Sequence, residues 1–156
     1  CSPSGAIERV IYALLEKEAI KMDRGIKPML PLWLNPTQIR FIPIGDEFNS
    51  YCKEIIDELN SDSHYFIRSD IDDREESVGR KIRDAEKEWI PVIVVVGDNE
   101  KNSKKFKPRF RKKELGEDKE YSISEIKELI IEKTKDYPQK PLALPMQLSV
   151  RPKFKG

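Results

Sequence analysis

The sequence predicts an α/β fold, a mixed five-stranded sheet flanked by helices, and three observations carry that expectation. Strand-like and helix-like stretches alternate from Gln38 to Val96, and such alternation implies parallel strands joined by right-handed helical crossovers. The run Pro91 to Val96 reads PVIVVV. Its nearly continuous apolar character marks a strand covered on both faces, hence one in the middle of the sheet. The lysine- and proline-bearing stretch Lys104 to Arg111 has room for a pair of edge strands, where donors face water and proline is tolerated.

Each element follows from its residues. Ile7, Val10, Ile11, Leu14 and Leu15 recur at helical spacing, which predicts an amphipathic helix over Ala6 to Arg24 that Gly25 stops. Ile26 to Pro36 is rich in proline and apolar groups and reads as an extended linker, since proline removes the donors helix or sheet would use. Gln38 to Ile44 is a β-run. Asp46 is placed to cap the next helix, Glu47 to Leu59, which buries Tyr51, Cys52, Ile55, Ile56 and Leu59. A short strand is expected at His64 to Arg68 and a solvated acidic loop at Asp70 to Glu76. A helix at Ser77 to Glu88 then turns Val78, Ile82 and Ala85 inward. Gly97 and Asp98 lead the chain out of the PVIVVV strand. Ser122 and Glu125 match a capping box that opens a helix at about Ser124 to Lys135. The last stretch, with Pro138, Pro141, Pro145 and Pro152, has no periodicity and reads as a tail laid along the surface. The resulting division is 26–36 linker, 37–137 main domain and 138–156 tail.

Composition bounds the function without naming it. A chain of 156 residues with 38% hydrophobic residues holds one domain and some extra structure. Its 37% charged residues exceed the usual quarter or so, as suits a heavily solvated domain of a warm-living source. The net charge of +1 conceals a segregation: Lys101 to Lys113 reads KNSKKFKPRFRKK, without one acid. Such a run either forms a phosphate-attracting patch or keeps a loop soluble, and charge alone favours the latter. The single histidine, His64, opens a strand-like segment and reads as structural rather than as the base of a Ser/His/Asp or Cys/His set, and no P-loop or dinucleotide fingerprint is present. Two cysteines without a CxxC or Cys/His cluster offer no self-contained metal site, and Cys52 belongs to a core face. The acidic stretch matches no calcium loop. No signal peptide or membrane-length apolar run occurs, and the chain reads as cytoplasmic.

Four likenesses go further. Gly5 to Arg9 reads GAIER, which resembles motif 3 of class II aminoacyl-tRNA synthetases. Leu32 to Ile44, LWLNPTQIRFIPI, resembles the junction between catalytic and anticodon-binding domains in archaeal-type threonyl-tRNA synthetases. Val78 to Arg83, Ile90-Pro91 and Val96 to Glu100 resemble the anticodon-binding domain shared by the threonyl, prolyl, glycyl and histidyl enzymes, and LPMQLSVRPKF resembles the archaeal threonyl ending. Together the likenesses cover nearly the whole chain.

The resemblance implies a C-terminal fragment. Residues 1–25 would close the catalytic domain, with Arg9 on the ATP phosphates and one catalytic-domain helix ahead of the anticodon-binding domain. It implies anticodon contacts at Glu100 and Arg109, with Arg74 and Glu75 in a longer loop. A further family arginine falls at Trp89, where an indole can stack on a base instead. Lys104, Lys105, Lys107 and Arg111 would take phosphates. The partner implied is threonine tRNA, with neither DNA nor a membrane. ATP, magnesium, zinc and the homodimer contacts belong to the catalytic domain, so this fragment is expected to bind no cofactor and to be inactive alone. Cys1 is not expected to be a zinc ligand. The alternatives are the same domain from a prolyl or glycyl enzyme, or a non-catalytic RNA-binding module.

Overall fold

The computed structural model describes residues 5–61 and 64–152. Cys1, and Lys153 and Phe154 of the closing motif, lie outside the described residues. The chain runs α1 (Ile7–Asp23), β1 (Ile39–Pro43), α2 (Asn49–Leu59), β2 (Ser69–Ile71), α3 (Val78–Lys87), β3 (Val92–Val96), α4 (Asp98–Ser103), β4 (Arg109–Phe110) and α5 (Ile123–Thr134). The strands form a sheet in the order β2-β1-β3-β4. β1 pairs parallel with β2 and β3, and β4 closes the sheet antiparallel to β3, with Ile93 opposite Arg109.

Strand alternation divides the core into two layers. Ile39 and Phe41 of β1, with Val92, Val94 and Val96 of β3, face α2 and α5. Ile42 and Ile93 face the other way, onto Ala85 and Ile90, with Val78, Ile82 and Val95 packed around them. Both central strands are therefore sealed on two sides, as the apolar run predicts. α5 begins as expected: Ser122 Oγ accepts from the Glu125 amide at 3.2 Å while Glu125 Oε2 accepts from the Ser122 amide at 2.7 Å. Cys52 is fully buried, and burial pushes its thiol up to about 12. Among the described residues no helix is long and apolar enough to cross a membrane.

Five expectations are corrected. The sheet has four strands rather than five among the described residues. The basic stretch gives only the two-residue β4 and a lone bridge between Phe106 and Tyr121. Pro108 has no N–H for a ladder, and Phe106 buries its ring to 1% exposure by turning to Tyr121. The strand beside β1 is Ser69–Ile71, not His64 to Arg68, because register is fixed by a charged pair: Arg40 and Asp70 stand opposite each other. Arg40 Nε donates to Asp70 Oδ1 at 2.8 Å and Nη2 to Oδ2 at 2.9 Å. The acidic stretch is accordingly a solvated turn only in its second half: Asp70 and Asp72 are both 0% exposed, while Glu75 and Glu76 face solvent. Asp46, finally, caps nothing with its side chain; it opens a 3-10 turn over Asp46–Phe48 that leads into α2.

The flanking segments are fastened rather than loose. Arg68 donates through Nε to Asn35 O at 2.8 Å, through Nη2 to Trp33 O at 2.6 Å and through Nη1 to Lys140 O at 3.2 Å, so one guanidinium joins linker to tail. Trp33 and Tyr137 stack with centroids 5.0 Å apart. α1 is present over Ile7–Asp23, but its apolar face is bare: Ile7 is 76% exposed, Ile11 51% and Leu15 45%. Its last turns attach through buried Glu18, whose Oε2 accepts from the Met29 amide at 2.9 Å.

Candidate nucleic-acid interface

α3 covers the middle of one sheet face and leaves the side of β4 open. Between them lies a cleft of about 710 Å³, lined by Val78 and Ile82 of α3, Val95 of β3, Glu100 of α4 and Arg109 of β4, with Lys107, Lys113 and Asp118 at its margin. The floor is apolar and the charged groups converge on it, a composition suited to a flat ligand with polar edges. Glu100 is placed by a tight turn: the Gly97 amide donates to its Oε2 at 2.9 Å. A Cβ on Gly97 would meet Ile44 Cδ1 at 2.6 Å, so a larger residue there would have to push that exposed side-chain end aside. Arg109 is exposed on the edge strand, with no ion pair found for it among the described residues. A carboxylate that accepts and a guanidinium that offers paired donors are the groups that read nucleobase edges.

The other expected residues are not gathered with these two. Arg74 is already engaged, donating to Asp72 at 2.8 and 2.7 Å and to Asp84 of α3 at 3.2 Å. The bonds to Asp72 hold its guanidinium firmly charged. Glu75 is exposed beside it. Since β2, β1 and β3 run parallel, the loop carrying Arg74 and Glu75 leaves the same sheet edge as Glu100, about 10 Å away across β1. Trp89, half-buried at a φ of 60°, precedes β3, whereas Glu100 follows it, so the indole lies at the opposite end of that strand. Lys107 lines the cleft and pairs with exposed Asp118 at 3.2 Å. Lys104 borders a different hollow with Tyr51 and Glu54, and the neighbouring Lys105 bonds locally to Ser103.

Arg111 is turned inward. It donates through Nε to Pro28 O and through Nη1 to Glu86 O at 2.7 Å, tying the linker to α3. Burial lowers its pKa. Arg9 is exposed on α1 and does not line the cleft. Lys113 was not singled out from sequence, although it belongs to the acid-free run that ends with it.

Residues 38–133 match the family model described as "Anticodon binding domain". The chain belongs to that family. Its anticodon binding domain resembles those of proteins named threonine--tRNA ligase: the chain is 51% identical to that of Pyrococcus horikoshii over 156 residues, 48% to that of Thermococcus sibiricus over 156 and 44% to that of Methanocaldococcus jannaschii over 157. These matches take in 99–100% of this chain but only 24–25% of the relatives, so the chain spans about a quarter of their length. A solved structure, the RNA binding domain of threonyl-tRNA synthetase from Cryptosporidium parvum, shares the fold of the anticodon binding domain with a TM-score of 0.54 at 24% identity, over 76% of this chain and 27% of that one.

Proposed function

We propose that this chain reads the anticodon of a threonine tRNA, as the C-terminal part of a threonine--tRNA ligase that couples ATP-dependent activation of threonine to its transfer onto that tRNA. The observation that supports the reading most is the meeting of Glu100 and Arg109 in one cleft. An unstacked base slides over Val78, Ile82 and Val95. Glu100 accepts from its amino group and Arg109 gives two donors to a guanine edge. Lys107 and Lys113 sit where backbone phosphates would follow, whereas Arg111 is occupied by carbonyls. The relatives favour the threonyl reading over a prolyl or glycyl one.

ATP, magnesium and zinc belong, on this reading, to the catalytic part of the ligase, and so do the homodimer contacts. Among the described residues no group of three or more His, Cys, Asp or Glu side chains is placed to hold a metal. Residues 1–25 would be the end of that catalytic part, with Arg9 toward ATP.

The test is binding of the chain to the anticodon stem-loop of threonine tRNA and to variants with the second or third anticodon base altered. Each altered base should cost about 1–3 kcal/mol, and Arg109→Ala should erase the preference at one of them. Equal, salt-sensitive binding of all the RNAs would reduce the cleft to a basic surface.

A further inference from the structure

The loop between β2 and α3 is held from two sides, and only one hold comes from the anticodon binding domain itself. On the inner side Asp72, 0% exposed, receives Arg74 in a two-bonded pair, and Arg74 reaches on to Asp84 of α3. On the outer side Asp73 accepts three donors from the tail: Gln147 Nε2 at 2.8 Å, the Ser149 amide at 2.8 Å and Ser149 Oγ at 2.6 Å. The tail is itself anchored. The Ile71 amide donates to Met146 O at 2.9 Å, Gln147 bridges Ile71 as a parallel neighbour, and Leu148 is buried. Arg151 pairs with Asp70 at 2.9 Å while donating to Pro145 O at 2.8 Å.

We infer that the tail segment Met146 to Arg151, through Asp73, is a positioning element for base recognition by the loop that carries Arg74 and Glu75. The inference rests on the anticodon reading above. A loop left to itself would sample many arrangements, and an RNA binding it would have to freeze them, at a cost in affinity and selectivity. Three short hydrogen bonds to one carboxylate, from residues more than seventy positions away in sequence, remove that freedom before RNA arrives. Charge on the carboxylate strengthens each bond. Asp73 touches no base in this scheme; it acts through the residues that follow it.

The experiment uses the whole chain with Asp73→Asn, Gln147→Glu and the two combined. Asparagine keeps one acceptor and places an amino group among three donors. Gln147→Glu sets two carboxylates face to face. In the double variant the amide of position 73 can donate to the new carboxylate, so the clamp is restored. Amide hydrogen exchange at Arg74, Glu75 and Glu76 should speed up in each single variant while β1 and β3 amides keep their protection. Preference at one anticodon base should fall about tenfold, the low end of what a single base contact supplies. The preference that Arg109 sets should survive, and the double variant should recover most of the loss. Unchanged exchange at those three amides overturns the clamp. Faster exchange with every base preference intact overturns its role in recognition. Equal binding of every RNA by the unaltered chain refutes the anticodon reading and the recognition role together, and exchange alone then decides the clamp.

Discussion

Asp70→Asn should destabilise the domain by removing the charge from a fully buried carboxylate. Asp70 is 0% exposed and Arg40 1%. The carboxylate accepts from Arg40 at 2.8 and 2.9 Å and from Thr37 Oγ1 at 2.9 Å, and it pairs with Arg151 at 2.9 Å. Burial alone would weaken the charge on Arg40, but its bonds to Asp70 and Glu88 raise its pKa instead. Removing one charge of a buried pair costs about 3–5 kcal/mol, chiefly because the remaining charge is left without compensation. Glu88 stays within 2.8 Å of Arg40 Nη2 and is half-exposed, so part of the compensation survives, and the lower end, about 3 kcal/mol, is expected. For a chain of this size that corresponds to a fall in Tm of about 6–12 °C. Urea unfolding followed by circular dichroism measures it. The paired replacement Arg40→Met with Asp70→Leu should recover part of that loss, since apolar groups of similar volume often match a buried ion pair, while Thr37 and Arg151 lose their acceptor. A loss below about 1 kcal/mol for Asp70→Asn would refute the account.

Other outcomes follow from single contacts. Gly116→Ala should cost about 1–3 kcal/mol by overpacking, measured by thermal unfolding, because a Cβ there would lie 2.5 Å from the Phe110 ring. Lys107→Ala should weaken RNA binding evenly across sequences and lower the salt slope by about one. Arg111→Ala should instead lower Tm with little change in that slope, since its donors serve Pro28 and Glu86. The Cys52 thiol, pushed up to about 12 by burial, should resist thiol reagents at pH 8 until the chain unfolds. Its folded pKa exceeds the unfolded one, so its contribution to stability is complete below about pH 8.5 and is lost as pH rises toward 12. Unfolding curves of the chain and Cys52→Ala compared across that range test the sign.

Much of the fold was legible because periodicity is dictated by burial. The β3 run and the Cys52 face express residues facing one or two apolar layers, and the Ser122–Glu125 cap expresses a local exchange of hydrogen bonds at the start of α5. What escaped was organised by charge. Arg40 and Asp70 select the β2 register, yet in sequence Asp70 is one acid in an acidic stretch, and nothing local marks it as buried. The same blindness hides the contacts of Arg111, since a cation in a basic run looks free until its carbonyl partners, one of them 83 residues away, fold beside it. Glu100 and Arg109 are proposed on a family likeness rather than on spacing, because the cleft they share is made by elements that meet only in three dimensions.

α1 has mechanical meaning. It is fastened near its end by the Glu18 carboxylate to the Met29 amide, and its earlier turns present Ile7, Ile11 and Leu15 to the outside. From that fastening to Ile7 the helix runs about 16 Å at 1.5 Å per residue. It is thus a lever with a short fixed end: a tilt of about 10° at Glu18 swings the far end by about 3 Å. The linker that receives the pivot is the one Arg111 ties to α3 at the cleft wall. A body gripping the bare turns of α1 would therefore feel small displacements of the cleft as amplified ones.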